Sequence, residues 1–274
     1  MIFITGGSGF VGRHLIKRLT DAGHRVRCLV RRQAAVESMA AAGAEAVLGD
    51  VTDSARVTEA MRGAESVVHL VAILRESRGA TFEAINVQGT KNIVAAAQQA
   101  DVKKFVHIGA LGAAADPEYG YLYSKWQGAE AVRTSGLDFT VLEPSVFFGP
   151  GAGFIEMLLG TLKMMPLVVP IAGSGRNLFQ PLWVEDVVSC IVKSLQGDKS
   201  RQTCEIGGPE HLSYEQVFDA VMAARGTKRL KIHLPLPLMR PAVAVMERLL
   251  TNPPVTSGEL KSLKLDNITD LDAV

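Results

Sequence analysis

The chain has 274 residues, 29 Lys and Arg against 28 Asp and Glu for a formal net charge of +1, and 47% hydrophobic residues. That composition suits a globular protein with a sizeable core. Near-neutral charge supplies no basic field, which excludes nucleic acid as the expected partner. No apolar run reaches the roughly 18 residues of a transmembrane segment. The opening MIFITGG carries neither a basic n-region nor a cleavage site. Cys28, Cys190 and Cys204 are odd in number and far apart, as buried thiols in a reducing compartment would be. No histidine has a partner at metal-ligand spacing, so no metal is expected. A cytoplasmic protein is predicted, with any membrane association peripheral.

Ile2–Thr5 is a short apolar run that predicts a first strand. It ends in Gly6-Gly7-Ser8-Gly9-Phe10-Val11-Gly12 and opens an amphipathic stretch, Val11–Ala22. A glycine-rich strand-to-helix turn of this kind cradles phosphates. Gly6 allows the sharp turn, Gly9 close approach of a pyrophosphate, and Gly12 tight helix–strand packing. The helix amino end offers free N–H groups and a positive dipole. Gly6, Ser8, Gly9, Phe10 and Val11 are therefore candidate cofactor residues.

Arg25–Val30 predicts strand two, which runs into Arg31-Arg32. An acidic residue there would select the ribose 2′-hydroxyl of NAD, whereas arginine suits a 2′-phosphate. NADP(H) is the expected cofactor, and a solvated basic pair is the alternative. Further strands are predicted at Ala46–Leu48, Ser66–Leu70, Lys104–Ile108 and Asp138–Leu142, with amphipathic stretches at Thr81–Ala100 and Tyr121–Thr134. Such alternation means βαβ units. The fold class is α/β, a Rossmann-type doubly wound parallel sheet.

After Phe148 the pattern changes. Gly and Pro become frequent, helices are predicted at Phe154–Leu162 and Val184–Leu195, and five of the twelve prolines fall between Leu234 and Pro254. Residues 1–148 read as the NADP-binding core. Residues 149–274 read as a small mixed α/β substrate-side lobe interleaved with it.

Tyr121 and Lys125 form a Y-x-x-x-K pair on one helical face. A nearby ammonium would lower a phenol pKa that starts near 10. Tyr121 is the candidate acid/base and Lys125 its electrostatic partner.

The G-x-x-G-x-x-G spacing of Gly6, Gly9 and Gly12, with the Tyr121–Lys125 pair, resembles the extended and atypical short-chain dehydrogenases/reductases. The resemblance implies cofactor contacts at Asp50 and Val51 after strand three. It implies others at Leu70, Val71 and Ala72, an H-x-A-A-like strand end in which Val71 replaces the commoner Ala. It also identifies Asn86–Asn92 with the family's N-V-x-G-T-x-N helix. Ile108, Gly109, Lys125, Pro144, Ser145, Val146 and Phe147 complete the cofactor-binding positions. Tyr121–Lys125, Pro144–Pro150, Phe179–Asp186, Gly207–Glu210 and Leu265–Asn267 are most similar to the subgroup of the NADPH-binding accessory subunit of respiratory complex I and its bacterial relatives.

Two departures bear on chemistry. The family's Ser or Thr after strand five is absent, since His107-Ile108-Gly109-Ala110-Leu111 carries no hydroxyl. Loss of one oxyanion-type donor typically costs about 2.7–4 kcal/mol. Phe179 stands where nucleotide-sugar enzymes of the family carry an arginine for the diphosphate, and Glu143 stands where Arg is usual. Two functions follow as expectations. One is a weak NADP(H)-dependent oxidoreductase acting on a hydrophobic carbonyl or quinone-like molecule. The other is a cofactor-stabilised accessory or assembly protein of a membrane redox complex. A nucleotide-sugar epimerase/dehydratase is disfavoured by Phe179. The apolar stretches Phe147-Phe148, Phe154–Leu158, Met164–Val169 and Leu234–Leu250 suit a quinone, a lipid, a partner helix or the lobe's own core. Arg240, Glu247 and Arg248 place charge on the last of these, which would suit a membrane surface or a solvated face.

Overall fold

The computed structural model describes residues 1–165, 167–197, 200–250, 253 and 255–273. Pro166 and Pro254 lie outside the described residues. Two compact units emerge: Met1–Pro144 with Val184–Ile206, and Ser145–Trp183 with Gly207–Val274. The change of sequence pattern at Phe148 thus falls four residues beyond the end of the first unit's leading segment at Pro144, and the first unit takes back the segment 184–206.

Numbered along the chain, the first unit holds β1 (Ile2–Thr5), α1 (Phe10–Asp21), β2 (Val26–Val30), α2 (Gln33–Ala41), β3 (Glu45–Leu48), α3 (Ser54–Met61) and β4 (Ser66–His69). A π-helical turn (Glu83–Gly89) then leads into α4 (Thr90–Gln99), followed by β5 (Lys104–Ile108), α5 (Gly120–Arg133) and β6 (Phe139–Pro144). The other unit supplies β7 (Phe147–Phe148), α6 (Gly153–Met164), β8 (Val168–Ala172), β9 (Leu178–Phe179) and β10 (Leu182–Trp183). The chain returns to the first unit with α7 (Val184–Gln196) and β11 (Gln202–Ile206), then closes the second with β12 (Leu212–Ser213), α8 (Tyr214–Ala224), β13 (Leu230–Leu234), α9 (Leu236–Leu249) and α10 (Ser257–Ser262).

The expected doubly wound sheet is present. Seven strands run in the order β11-β6-β5-β4-β1-β2-β3, every neighbouring pair parallel. All residues of β1, β5 and β6 are buried, because helices cover both faces of a parallel sheet. The strand order reverses between β1 and β4, and ligands of such sheets bind outside the carboxyl ends at that point. His14 and Arg18 of α1 both reach Glu185 of α7, at 2.6 and 3.2 Å, which ties the returning helix to the first unit.

The single helix expected over Thr81–Ala100 is instead a π-helical turn followed by α4. The wider turn places the Thr90 hydroxyl 2.7 Å from the Asn86 carbonyl, to which it donates. In the second unit, Leu158 and Leu162 of α6 and Phe218 of α8 form a core with Val169 and Ile171 of β8. A capping box at Ser213 and Gln216 starts α8.

Candidate cofactor and catalytic site

At the end of β1 the backbone has no room for side chains. Gly6 takes φ +77, a region L side chains avoid. A Cβ on Gly12 would lie 2.3 Å from the Gly6 carbonyl oxygen and 2.6 Å from Gly7 Cα. The Gly9 N–H donates to the Gly6 carbonyl at 2.9 Å, closing the turn. Among the described residues, α1 has no side-chain cap and no acid in its first turn. Its leading N–H groups therefore point outward with the dipole's positive end, beside exposed Ser8 and Gly9. Phe10 is half-buried and Val11 buried.

Arg31 and Arg32 follow β2 and are exposed. Arg31 Nε stands 4.0 Å from Asp50 Oδ2. Asp50 Oδ1 accepts from both the N–H and the hydroxyl of Thr52 at 2.9 Å, which fixes the loop after β3.

The segment Asn86–Asn92 locks two of the loops expected at the cofactor. The Asn86 carboxamide accepts from Ile73 N–H at 2.8 Å and donates to Ile73 O at 3.1 Å. It also donates to Ser124 Oγ at 2.9 Å. This pins the Leu70-Val71-Ala72 stretch between β4 and α5. Asn92 donates to the Val51 carbonyl at 2.8 Å, and a Cβ on Gly89 would meet Val51 Cγ2 at 2.7 Å. None of these clamps is visible from helical periodicity. Only the spacing of Asn86, Gly89, Thr90 and Asn92 signals them.

Thr90 links the clamp to a buried histidine. Because its hydroxyl donates to Asn86 O, it can only accept from His69 Nε2, 2.9 Å away. His69 Nδ1 then accepts from the Thr5 hydroxyl at 2.6 Å, which defines a neutral tautomer. Burial, then the charge on Lys125, lowers the His69 pKa to about 3. His107 stacks on it with ring centroids 5.2 Å apart. Neither ring nitrogen of His107 has a partner among the described residues, and burial holds its pKa well below the ordinary value. Sequence reasoning gave these two histidines no role; a polar residue inside an otherwise apolar strand was the available signal.

Tyr121 and Lys125 share a face of α5, but Lys125 Nζ donates to the Ile108 carbonyl at 2.6 Å. The phenol is not lowered as expected. Burial pushes Tyr121 up to about 12, while burial brings Lys125 down to about 8 against the opposing charge of Glu143. The ammonium's attraction is directed at a carbonyl, and desolvation governs the phenol. Tyr121 is consequently neutral at ordinary pH, its ring packed 6.0 Å from that of Phe82.

The space after β5 is filled. A Cβ on Gly109 would stand 2.8 Å from Glu143 Cγ and 3.3 Å from the Leu142 carbonyl oxygen. Glu143 is buried and paired with Arg133 Nη2, and burial raises its pKa. The Pro144 carbonyl accepts from Leu111 N–H at 3.0 Å. The remaining expected cofactor positions belong to the second unit. There Ser145 Oγ lies 2.6 Å from Asn267 Oδ1 and accepts from Gln180 N–H at 3.2 Å. Val146 O accepts from Leu182 N–H at 2.9 Å, and Phe147 pairs with Leu182. Phe179 is buried in that unit's core, with ring centroids 5.9 Å from Phe154 and 6.0 Å from Tyr214.

A model of the NAD dependent epimerase/dehydratase family matches residues 2–207. The NADH-ubiquinone oxidoreductase 40 kDa subunit of Neurospora crassa is 22% identical, over 98% of this chain and 72% of its own. The 4-hydroxy-2-methyl-3-oxo-4-farnesyl-3,4-dihydroquinoline-1-oxide ketoreductase of Stigmatella aurantiaca is 30% identical, over 59% of this chain and 54% of its own. Among solved structures, a double mutant of the dTDP-glucose 4,6-dehydratase DesIV from Streptomyces venezuelae, with NAD bound, superposes with a TM-score of 0.73. It covers 96% of each chain at 21% identity.

Proposed function

The chain belongs to the NAD dependent epimerase/dehydratase family, and we propose that within it this protein is an NADP(H)-binding accessory component of a membrane redox complex, with cofactor bracing the fold and hydride transfer slow. The observation that carries this reading is the exit of β5. The expected hydroxyl is absent, and Glu143 occupies the space a side chain at Gly109 would need. The likeness to the 40 kDa subunit supports the same reading.

The residues present fit a dinucleotide. The Gly6–Gly12 turn and the uncapped start of α1 would hold its pyrophosphate. The exposed Arg31 and Arg32 would hold a 2′-phosphate. When bound, the nicotinamide supplies a hydride. Tyr121, kept protonated by burial, would donate a proton to a substrate oxygen, and Lys125 would keep positive charge beside the Ile108 carbonyl.

A weak reductase acting on a hydrophobic carbonyl or quinone-like molecule is the second reading. The retained Tyr121–Lys125 pair favours it, as does the relative named for reducing a farnesylated dihydroquinoline oxide. A nucleotide sugar is disfavoured, because a buried phenyl ring at Phe179 offers a diphosphate nothing.

Parallel fluorescence titrations of nucleotide-free protein with NADPH and NADH test the cofactor. NADPH should bind about ten- to a hundredfold tighter, the worth of one good charge-assisted contact. Arg31→Ala with Arg32→Ala should erase that ratio; equal weakening of both nucleotides would sink the 2′-phosphate assignment. Rapid mixing of the NADPH complex with a short-chain quinone separates the two readings. Slow or absent nicotinamide oxidation fits the accessory role. Fast oxidation that Tyr121→Phe abolishes would establish the reductase, and oxidation that survives Tyr121→Phe would remove Tyr121 from the chemistry.

A further inference from the structure

Exposed large apolar side chains are unevenly placed. Of the fourteen among the described residues, ten lie in two short stretches of the second unit, 164–167 and 230–250. The two stretches meet, since Leu230 N–H donates to the Leu167 carbonyl at 3.3 Å and Arg229 Nη1 donates to the Met165 carbonyl at 2.9 Å. Strand β13 turns Leu230, Ile232 and Leu234 outward, at the alternate positions that share one strand face. Leu167 beside it is 80% exposed.

Helix α9 continues the pattern with two apolar stripes where one would serve. Leu236, Met239, Val243 and Met246 pack on the unit's core. Leu238, Ala242, Val245 and Leu249 follow the same helical spacing on a second face, and Leu238 and Leu249 are 74% and 77% exposed. Burial against the unit's own core does not account for this outer stripe. Arg248 borders it on the helix surface, while Arg240 falls on the opposite side at about 3.6 residues per turn. Residues 225–250 carry six Lys or Arg against the single acid Glu247, and Glu247 already accepts from Ser257. Arg225, Lys228, Arg240 and Arg248 are exposed and have no ion-pair partner among the described residues.

We infer that this face docks on an anionic lipid bilayer, with α9 lying in the interfacial plane, Leu238, Val245 and Leu249 in the acyl boundary and Arg248 at the phosphates. The excess of positive charge over residues 225–250 complements an anionic lipid surface. An aliphatic stripe with Arg248 at its edge, in a segment of net positive charge, matches an interfacial helix. The inference does not rest on the cofactor reading, so NADPH titration and lipid binding can fail separately.

The test is co-sedimentation of the full chain with phosphatidylcholine vesicles, with and without about one-third phosphatidylglycerol. Binding should be confined to the anionic vesicles and weaken with salt. Leu238→Gln, Val245→Gln and Leu249→Gln together should reduce it by at least about tenfold, and Arg248→Gln by about fivefold. All four side chains are exposed, and an unchanged melting curve confirms that each variant is folded. Absence of binding to either vesicle, or binding indifferent to the triple variant, would overturn the inference. So would a self-associated chain that the triple variant renders monomeric while vesicles stay bare.

Discussion

The turn after β1 and the exit of β5 sit on the same edge of one parallel sheet, and they have been treated in opposite ways. After β1, Gly6, Gly9 and Gly12 strip the backbone of side chains and leave helix N–H groups facing outward. After β5 there is a glycine too, yet its space is taken by Glu143, which Arg133 holds in place. One end is bare of side chains; the other is filled by Glu143. On the proposed reading, cofactor binding and carbonyl activation would be separable, each resting on its own residues.

The largest effect should come from filling the first end. Gly12→Ala sets a methyl group 2.3 Å from a carbonyl oxygen and 2.6 Å from a Cα. Both are backbone atoms that cannot swing away. Overpacking of this kind should cost about 3 kcal/mol. The displaced turn should weaken NADPH about a hundredfold, the value of two lost backbone hydrogen bonds to a charged group. A melt and a titration read the two losses separately. A variant that binds NADPH normally would show that the turn is a packing device alone.

Behind that turn lies a pH-sensitive layer. His69 and His107 are neutral and buried, with pKa values lowered by burial and by Lys125. The unfolded chain takes up protons near pH 6.5, where the folded chain does not. Their contribution to stability is thus complete above that pH and drains away as pH falls toward the folded value of about 3 for His69. At about pH 5 the loss from His69 alone should be about 2 kcal/mol, with His107 adding in the same direction. Glu143, raised by burial, works with the opposite sign. Glu65 and Glu215, lowered by their partners, titrate below this window. Urea midpoints at about pH 7.5 and 5 should differ accordingly, and His107→Phe should flatten the slope. An unchanged slope would mean that His107 is protonated in the fold.

The strands of the sheet's core are legible in the sequence because burial on both faces leaves short runs rich in β-branched and aromatic residues, as in Ile2–Thr5 and Lys104–Ile108. The glycine turn is legible because its chemistry is local. The helices α2 and α3 go unread: α2 is a short alanine-rich stretch with a single buried residue, Met39, so it has little amphipathic contrast. Helix α7 is read as a helix, but its membership of the first unit depends on Glu185 meeting His14 and Arg18 across more than 160 positions. The same limit hides the clamps of Asn86 and Asn92 and the direction of the Lys125 ammonium. Residue types and spacing say which groups exist. Which atom each one reaches is decided by tertiary packing.

Glu143 is the sharpest example, and the smallest expected effect tests it. Restoring a hydroxyl with Gly109→Ser should fail by itself, because the new Cβ meets Glu143 Cγ at 2.8 Å. Since that neighbour is a side chain that can partly yield, the cost should be about 1–2 kcal/mol. Glu143→Ala removes the obstruction but also takes away one of the two carboxylates, Glu143 and Glu130, seen paired with Arg133, so it should cost a comparable amount. Combining the two should cost less than their sum, with a coupling of about 1 kcal/mol in a double-mutant cycle. If that coupling appears and the double variant also oxidises NADPH faster with a quinone, then closure by Glu143 is what separates this chain from an efficient reductase. If the two losses simply add, Gly109 and Glu143 are independent, and the missing hydroxyl has no structural counterpart.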